Sequence, residues 1–148
     1  MSENASVTIT RQSGYQFLVD FGHDLVPLLA DEPAPLGEGT GPAPDHMLLA
    51  AVANCLSASL LFALQKFKQD PGTLVATATP VMGRNADKRL RIEAINVKLA
   101  LGQPAAALEH LDRVLDQFEA FCTVSMSVRE GIAINVQVQD GAGVVIKG

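Results

Sequence analysis

Two side chains in this sequence can do redox chemistry. They are Cys55 and Cys122, the only cysteines among 148 residues. A free cysteine is ordinarily a small buried hydrophobe. It becomes a nucleophile when a cation, a hydrogen-bond donor or a helix N-terminus lowers its pKa and solvent can reach it. Cys55 lies in a long uncharged run, and its neighbours one helical turn away, Ala51, Val52, Ala58 and Ser59, are not basic. Any activating group must therefore come from elsewhere in the fold or from a second chain. Cys122 lies in FCTVSMSVREG, at the predicted end of a helix and just before a strand. A thiol at such a boundary is better placed for exchange than one inside a helix. Two cysteines this far apart in sequence meet only if the elements that carry them pack together. If they do, one can attack an oxidant, become a sulfenic acid and be resolved by the other as a disulfide. A persistent structural bridge is not expected in a reducing compartment. The pair is then either two inert buried thiols or a working redox couple.

The element that must position Cys55 is the stretch Pro44–Leu64, PDHMLLAAVANCLSASLLFAL, which carries no charge from Met47 onward. Its apolar positions cover nearly the whole circumference of a helix, which implies a membrane span or the buried axis of a globular core. About 18 apolar residues is the lower edge of a spanning length. Ala, Ser, Asn and Cys dilute the run, no aromatic belt flanks it, and the rest of the chain is patterned as strands that need a helix to pack on. The core reading is preferred. Pro44 suits the first helical position, where no backbone N–H is needed. Asp45 places a carboxylate where the helix dipole is positive. Polar residues take over near Lys68, and Asp70-Pro71-Gly72 stops the helix.

Around this axis the chain alternates. Ala5–Arg11 and Tyr15–Phe21 predict a hairpin with a turn at Gln12–Gly14, and Asp24–Leu29 a third strand that Pro27 confines to an edge. Ala30–Ala43 is a Pro- and Gly-rich loop. Its GEGTG string lacks the Gly-Lys-Ser/Thr ending of a phosphate loop, and Asp45 would repel phosphate. Thr73–Met82 and Leu90–Leu101 are strands. In the second, the alternation slips by one residue near Ala94–Ile95. Pro104 opens a second helix, with Leu108, Leu111, Val114, Leu115 and Phe118 on one face, that ends near Cys122. A short segment, Thr123–Arg129, leads to Gly131. Ile132–Val138 reads as a strand, Asp140–Gly143 as a turn, and Val144–Lys147 as a short last strand.

Composition narrows the function. Apolar residues make up 48% and charged residues 18%, which is globular rather than disordered. A formal charge of -5 argues against a nucleic-acid partner. No basic-then-apolar leader opens the sequence, so a cytoplasmic protein is expected. His23, His46 and His110 lack metal-ligand spacing, and no metal site is expected. Arg84, Lys88, Arg89 and Arg91 cluster at a hairpin, either as a solvated tip or as an attractor for an anionic substrate or reductant. Asn54 and Ser57 flank Cys55, where they can bond near it or simply pack.

The two cysteine contexts together resemble the OsmC/Ohr family. PDHMLLAAVANC at Pro44–Cys55 is similar to its first signature, Pro-Glu-x-Leu with a Cys ten residues after the Glu. CTVSMSVREGIAINV at Cys122–Val136 is similar to its second, where Cys-Pro-Val-Ser leads through a short helix to a Gly and a strand. The order of elements agrees over nearly the whole chain. The resemblance implies an α+β fold with two central helices packed against curved antiparallel sheets, as a single domain over residues 1–148. It also implies an intertwined homodimer with two sites near the subunit interface. Characterised members reduce organic hydroperoxides with the two cysteines, and some are recycled by lipoyl or other dithiols. Carried over by position, Cys55 is the peroxidatic thiolate and Cys122 the resolving thiol. Asp45 stands where the organic-peroxide branch has its Glu. Arg11, at the end of the first strand, is the candidate for the Arg that stabilises the thiolate.

Three departures point to a less characterised OsmC-like branch. Asp45 is one methylene shorter than Glu, Thr123 replaces the Pro after the second Cys, and the loop before the helix holds no Arg. Ten helical residues rise about 15 Å, so Asp45 cannot touch Cys55 on its own helix. If both serve one site, the carboxylate or an Arg it orients must reach across from a partner helix. The expectation is a cytoplasmic, homodimeric thiol peroxidase for organic hydroperoxides that uses a dithiol reductant and needs no metal, flavin or haem. The alternative is a non-catalytic dimer that binds a small hydrophobic ligand, with both cysteines structural.

Overall fold

The N-terminal alternation closes as a hairpin. The computed structural model describes residues 4–131, 137–139 and 144–147. β1 (Thr8–Ser13) pairs antiparallel with β2 (Gln16–Asp20), with Ile9 opposite Val19 and Arg11 opposite Phe17. β1 runs two residues further than its pattern predicted, and the reversal falls at Gly14, whose φ of 54° suits a residue without Cβ. β3 (Leu28–Ala30) adds to β2 and completes a three-stranded sheet in the order β1-β2-β3. The third strand is shorter than Asp24–Leu29. His23 and Asp24 adopt left-handed φ values of 51° and 57°, and Leu25 N–H bonds to Gly22 O, so a turn takes the first half of that segment. Pro27 marks where pairing can begin.

The loop that follows is organised by one carboxylate. Asp31 is 2% exposed and accepts from the N–H groups of Glu32, Glu38 and Thr40 and from the Thr40 hydroxyl. Those bonds hold its pKa below the ordinary carboxylate value, the Thr40 N–H foremost. A Cβ on Gly37 would collide with Glu32 O and the Asp31 carboxylate, so this tight approach requires glycine. The N–H groups of the Gly-rich string thus already hold an anion, the chain's own.

α1 runs from Pro44 to Lys66 with Pro44 at its first position, as its pattern predicts. His46 Nδ1 accepts the Ala43 N–H at 3.0 Å at the helix entry. Val52, Leu56, Leu60, Ala63 and Leu64 are buried at three- and four-residue spacing, whereas Leu48, Leu61 and Phe62 are exposed. α1 is long and apolar enough to cross a bilayer by length and composition, and its most apolar window is only 33% buried. In the single chain the helix therefore buries a stripe, not its whole circumference.

β4 (Leu74–Arg84) and β5 (Leu90–Leu101) form a two-stranded sheet. β5 has the bounds its alternation gave. Its half-buried positions are Ile92 and then Ile95, Val97, Leu99 and Leu101, so the phase changes where the sequence slips. Pro80 sits within β4, which is an edge.

The second predicted helix is corrected. Instead of one helix from Pro104 to near Cys122, the segment holds a 3-10 turn at Ala105–Ala107, α2 at Leu111–Gln117 and a second 3-10 turn at Phe118–Phe121. The break has a tertiary cause. Leu108 is extended and buried and His110 is left-handed. The Glu109 N–H donates to Gln69 Oε1 at 2.9 Å, and the His110 ring stacks on Phe67 at 4.8 Å. These contacts outweigh a sequence of good helix formers. The segment after Cys122 is a true helix, α3 (Thr123–Glu130), ending at Gly131 with φ 79°. The predicted strand at 132–138 and turn at 140–143 lie largely outside the described residues. β6 (Val138–Gln139) pairs antiparallel with β7 (Val145–Lys147).

The fold is α+β, with antiparallel sheets and, among the described residues, three α-helices. Its contacts group into two compact units. The first is residues 1–54 with 74–100, and the second is residues 55–73 with 101–148. Cys55 and Cys122 both belong to the second.

Candidate active site: a thiol pair at the start of α3

The second half of α1 brings one sulfur and the start of α3 brings the other. The approach is pinned by aromatic contacts. Phe62 of α1 meets Phe121 edge-on, with ring centroids 5.6 Å apart at 83°. Lys66 Nζ lies over both rings, at 5.4 Å and 4.7 Å. Such cation–π contacts are worth about 0.5–1 kcal/mol at exposed sites. They fix the residue next to Cys122 against the helix that carries Cys55.

Cys122 is the N-cap of α3, with extended backbone (φ -85°, ψ 98°). It is fully buried. Its Sγ accepts the Ser125 N–H at 3.4 Å, as a Ser or Asp oxygen does at an ordinary N-cap, and its carbonyl accepts the Met126 N–H. Cys55 is half-buried, and neither cysteine is in a disulfide. The two sulfurs are neighbours, near enough to shift each other's acidity but not at disulfide distance.

Their acidities diverge. Burial pushes the Cys55 thiol up. The N–H groups of Val124 and Thr123 oppose this, the bond and charge at Cys122 add to it, and the net direction is upward. Burial pushes Cys122 up too. The Ser125 hydroxyl beside it, the Cys55 thiol, the Ser125 N–H and the Ser59 hydroxyl outweigh it, and the net direction is downward. The pair titrates as a unit, and the surroundings favour negative charge on Cys122 over Cys55. Access and acidity thus belong to different sulfurs. The reachable thiol is Cys55, and the stabilised thiolate is Cys122.

Three contributors escaped sequence reasoning. Ser59 is buried four residues after Cys55, on the same helix face, and its spacing was the available signal. Ser125 is the third residue after the N-cap, the position whose N–H a capping side chain accepts. The N–H groups of Thr123 and Val124 became visible only once α3 was seen to start at Thr123.

Asp45 is exposed in the first turn of α1, ten residues before Cys55. Arg11 is exposed on β1, where its Nε donates to Gly14 O at 2.9 Å and closes the hairpin turn. Both belong to the first unit. Asn54 is exposed. Arg84 and Arg91 donate to the carbonyls of Lys88 and Leu90 on their own hairpin. Among the described residues, no group of three or more His, Cys, Asp or Glu side chains is placed to hold a metal ion.

Residues 37–137 match the family described as OsmC-like protein, a span that includes both cysteines. The chain belongs to the OsmC-like family. A search of the curated proteins finds no match. Solved structures with the same fold include an OsmC-like protein of unknown function from Vibrio cholerae, at 16% identity and a TM-score of 0.67, covering 85% of this chain and 93% of that one. An OsmC-like protein from Mycoplasma pneumoniae aligns at 15% identity and a TM-score of 0.70, covering 87% and 89%. The organic hydroperoxide resistance protein OhrB of Bacillus subtilis aligns at 15% identity and a TM-score of 0.63, covering 86% and 91%. At these identities the likeness shows the fold. Within the OsmC-like chain, the chemistry has to be argued from its own sulfurs.

Proposed function

We propose that this OsmC-like protein is a thiol-dependent peroxidase that reduces organic hydroperoxides through Cys55 and Cys122. One observation carries the reading. A reachable thiol lies near a buried, hydrogen-bonded thiol at a helix N-terminus. The Cys55 thiolate attacks the distal peroxide oxygen. The O–O bond breaks, Cys55 becomes a sulfenic acid, and the alkoxide takes a proton and leaves as R–OH. The Cys122 thiolate then attacks the sulfenic sulfur, forming the disulfide and expelling hydroxide, which is protonated to water. The sum is R–OOH plus two thiols giving R–OH, water and a Cys55–Cys122 disulfide. A dithiol such as a lipoyl group returns the pair to thiols. Apolar surroundings on α1 favour an alkyl hydroperoxide over hydrogen peroxide, because the alkyl tail gains by leaving water.

The proposal includes a cytoplasmic homodimer of one domain per chain. Its support is the apolar surface that α1 leaves uncovered at Leu48, Leu61 and Phe62. It assigns Asp45 and Arg11 to the site as groups supplied by a second copy. An arriving cation would move the negative charge from Cys122 onto Cys55. A second reading, a dimer that binds a hydrophobic ligand, has its own support. An apolar cavity of about 250 Å³ in the first unit is lined by Ile9, Tyr15, Phe17, Val19 and Met47 among others. Thiol counting after a stoichiometric dose of cumene hydroperoxide separates the two. Loss of two thiols per chain, abolished by Cys55→Ser, supports the peroxidase. Unchanged thiols with no peroxide consumed support the binding protein.

A further inference from the structure

A disulfide can be opened at either sulfur. The choice depends on which sulfur the attacking thiolate can reach and which thiolate leaves more easily. In this chain both conditions are asymmetric. Cys122 is 0% exposed, whereas Cys55 is half-buried. Ala58 and Phe62, one and two turns beyond Cys55 on α1, are exposed beside it. An entering thiol therefore reaches Cys55 and not Cys122.

The leaving side is built by α3. Cys122 is the N-cap of that helix, and its Sγ accepts the Ser125 N–H at 3.4 Å. The backbone that carries this sulfur is already committed. The Cys122 N–H donates to Glu119 O, and its carbonyl accepts the Met126 N–H. The sulfur is thus the N-cap group left to take a further donor. Ser125 supplies one. It is 7% exposed, its hydroxyl has no hydrogen-bond partner, and it lies three residues after Cys122, on the same side of the helix start. A buried hydroxyl without a partner is a cost. A thiolate at Cys122 gives it an anion to donate to, and a bond to a charged group is stronger than one to a neutral group.

We propose that recycling of the oxidised pair runs in one direction: the reductant's thiolate attacks the Cys55 sulfur, Cys122 leaves as a thiolate at the N-cap of α3, and Ser125 is the positioning residue for that departure. The proposal deepens the peroxidase reading and rests on it for the disulfide. The bond from the reductant to Cys55 Sγ forms as the Cys55–Cys122 bond breaks, and the electron pair of that bond goes to Cys122. The second thiolate of a dithiol then bonds to the reductant's first sulfur and releases Cys55. The dithiol loses two electrons and becomes its own disulfide. Its two protons end on the two cysteines.

The test starts from the reduced full-length chain, closed with diamide, which takes both thiol hydrogens and leaves the Cys55–Cys122 bond. 2-Mercaptoethanol then opens the bond. A monothiol stalls as a mixed disulfide, which an acid quench preserves, and mass spectrometry of the peptides counts the adduct on each cysteine at the earliest times. The adduct on Cys55 should exceed that on Cys122 by at least about tenfold. An equal division, or an excess on Cys122, overturns the proposal. Ser125→Ala should narrow the ratio by about threefold, a quantity that a loss of stability alone does not move, and Ser125→Thr, which keeps a hydroxyl, should restore it. A ratio unchanged in Ser125→Ala, or narrowed equally in both variants, removes Ser125 from the step. No peroxide enters these measurements. A pair that diamide cannot close sinks the proposal and the peroxidase reading together. A chain that consumes no peroxide but closes with diamide and opens at Cys55 sinks the activity and leaves the direction of opening in place.

Discussion

Two clusters of polar groups in this chain converge on an acidic side chain, and they treat it differently. In the loop after β3, three N–H groups and a hydroxyl close on Asp31, which is charged at any ordinary pH and fully satisfied. At the start of α3, the Ser125 N–H closes on the Cys122 sulfur, the Cys55 thiol lies near enough to shift its acidity, and the buried Ser125 hydroxyl has no hydrogen-bond partner. The first cluster is a finished structural tie, and nothing in it changes when the pH or redox state changes near neutrality. The second is balanced between two placements of one charge. The same donors that build a loop in one unit leave room for chemistry in the other.

The largest effect should come from breaking the reactive cluster. Cys55→Ser is expected to lower cumene hydroperoxide consumption at least about 100-fold with no change in far-ultraviolet circular dichroism. Cys122→Ser should still react once, leaving a sulfenic acid at Cys55 that dimedone traps, and then stop. Peroxide turnover at the wild-type rate in either variant would contradict the division of labour between the sulfurs.

The structural cluster should fail in the opposite way. Asp31→Asn is expected to lower Tm by several degrees while leaving thiol reactivity unchanged. The pH dependence has a definite sign. Asp31 titrates below its ordinary value of 3.8. Its stabilisation is therefore present above 3.8 and disappears as pH falls through the lower folded value. Thermal melts of the wild type should lose this contribution in acid, and those of Asp31→Asn should lack it throughout. A thiol titration altered by Asp31→Asn would mean that the two clusters are not independent.

A smaller effect is expected at Ser125. Ser125→Ala removes the hydroxyl that favours charge on Cys122, and the first thiol titration of the wild-type pair should move to higher pH. Iodoacetamide rates against pH would read it. Smallest of all, Lys66→Met should cost about 0.5–1 kcal/mol of stability in urea unfolding and leave the thiols alone.

The sequence made much of this legible where one physical rule dominated. β5 could be bounded at Leu90 and Leu101 because alternation alone decides a half-buried strand, and even its change of phase was visible at Ala94–Ile95. α1 could be started at Pro44 because a residue without an N–H belongs there. What stayed hidden depended on partners far away in the chain. Nothing local in a run of Ala, Leu, Glu and Asp announces that Gln69 and Phe67 will hold Glu109 and His110 out of a helix. The two cysteines were readable as a pair because their contexts carry the family's pattern. Their donors were not, since Ser59 and Ser125 look like ordinary small residues until the sulfurs are side by side. The all-round apolar character of α1 was equally plain, yet only one stripe of it is buried in a single chain.

The proposed activity depends on the two neighbouring thiols being a couple that closes on oxidation. The most direct measurement is disulfide mapping by mass spectrometry after one equivalent of cumene hydroperoxide is added to the reduced protein. The prediction is a Cys55–Cys122 cross-link within one chain, at one bond per peroxide consumed, reversed by a dithiol. Both thiols recovered unmodified, or each oxidised separately with no bond between them, would contradict it.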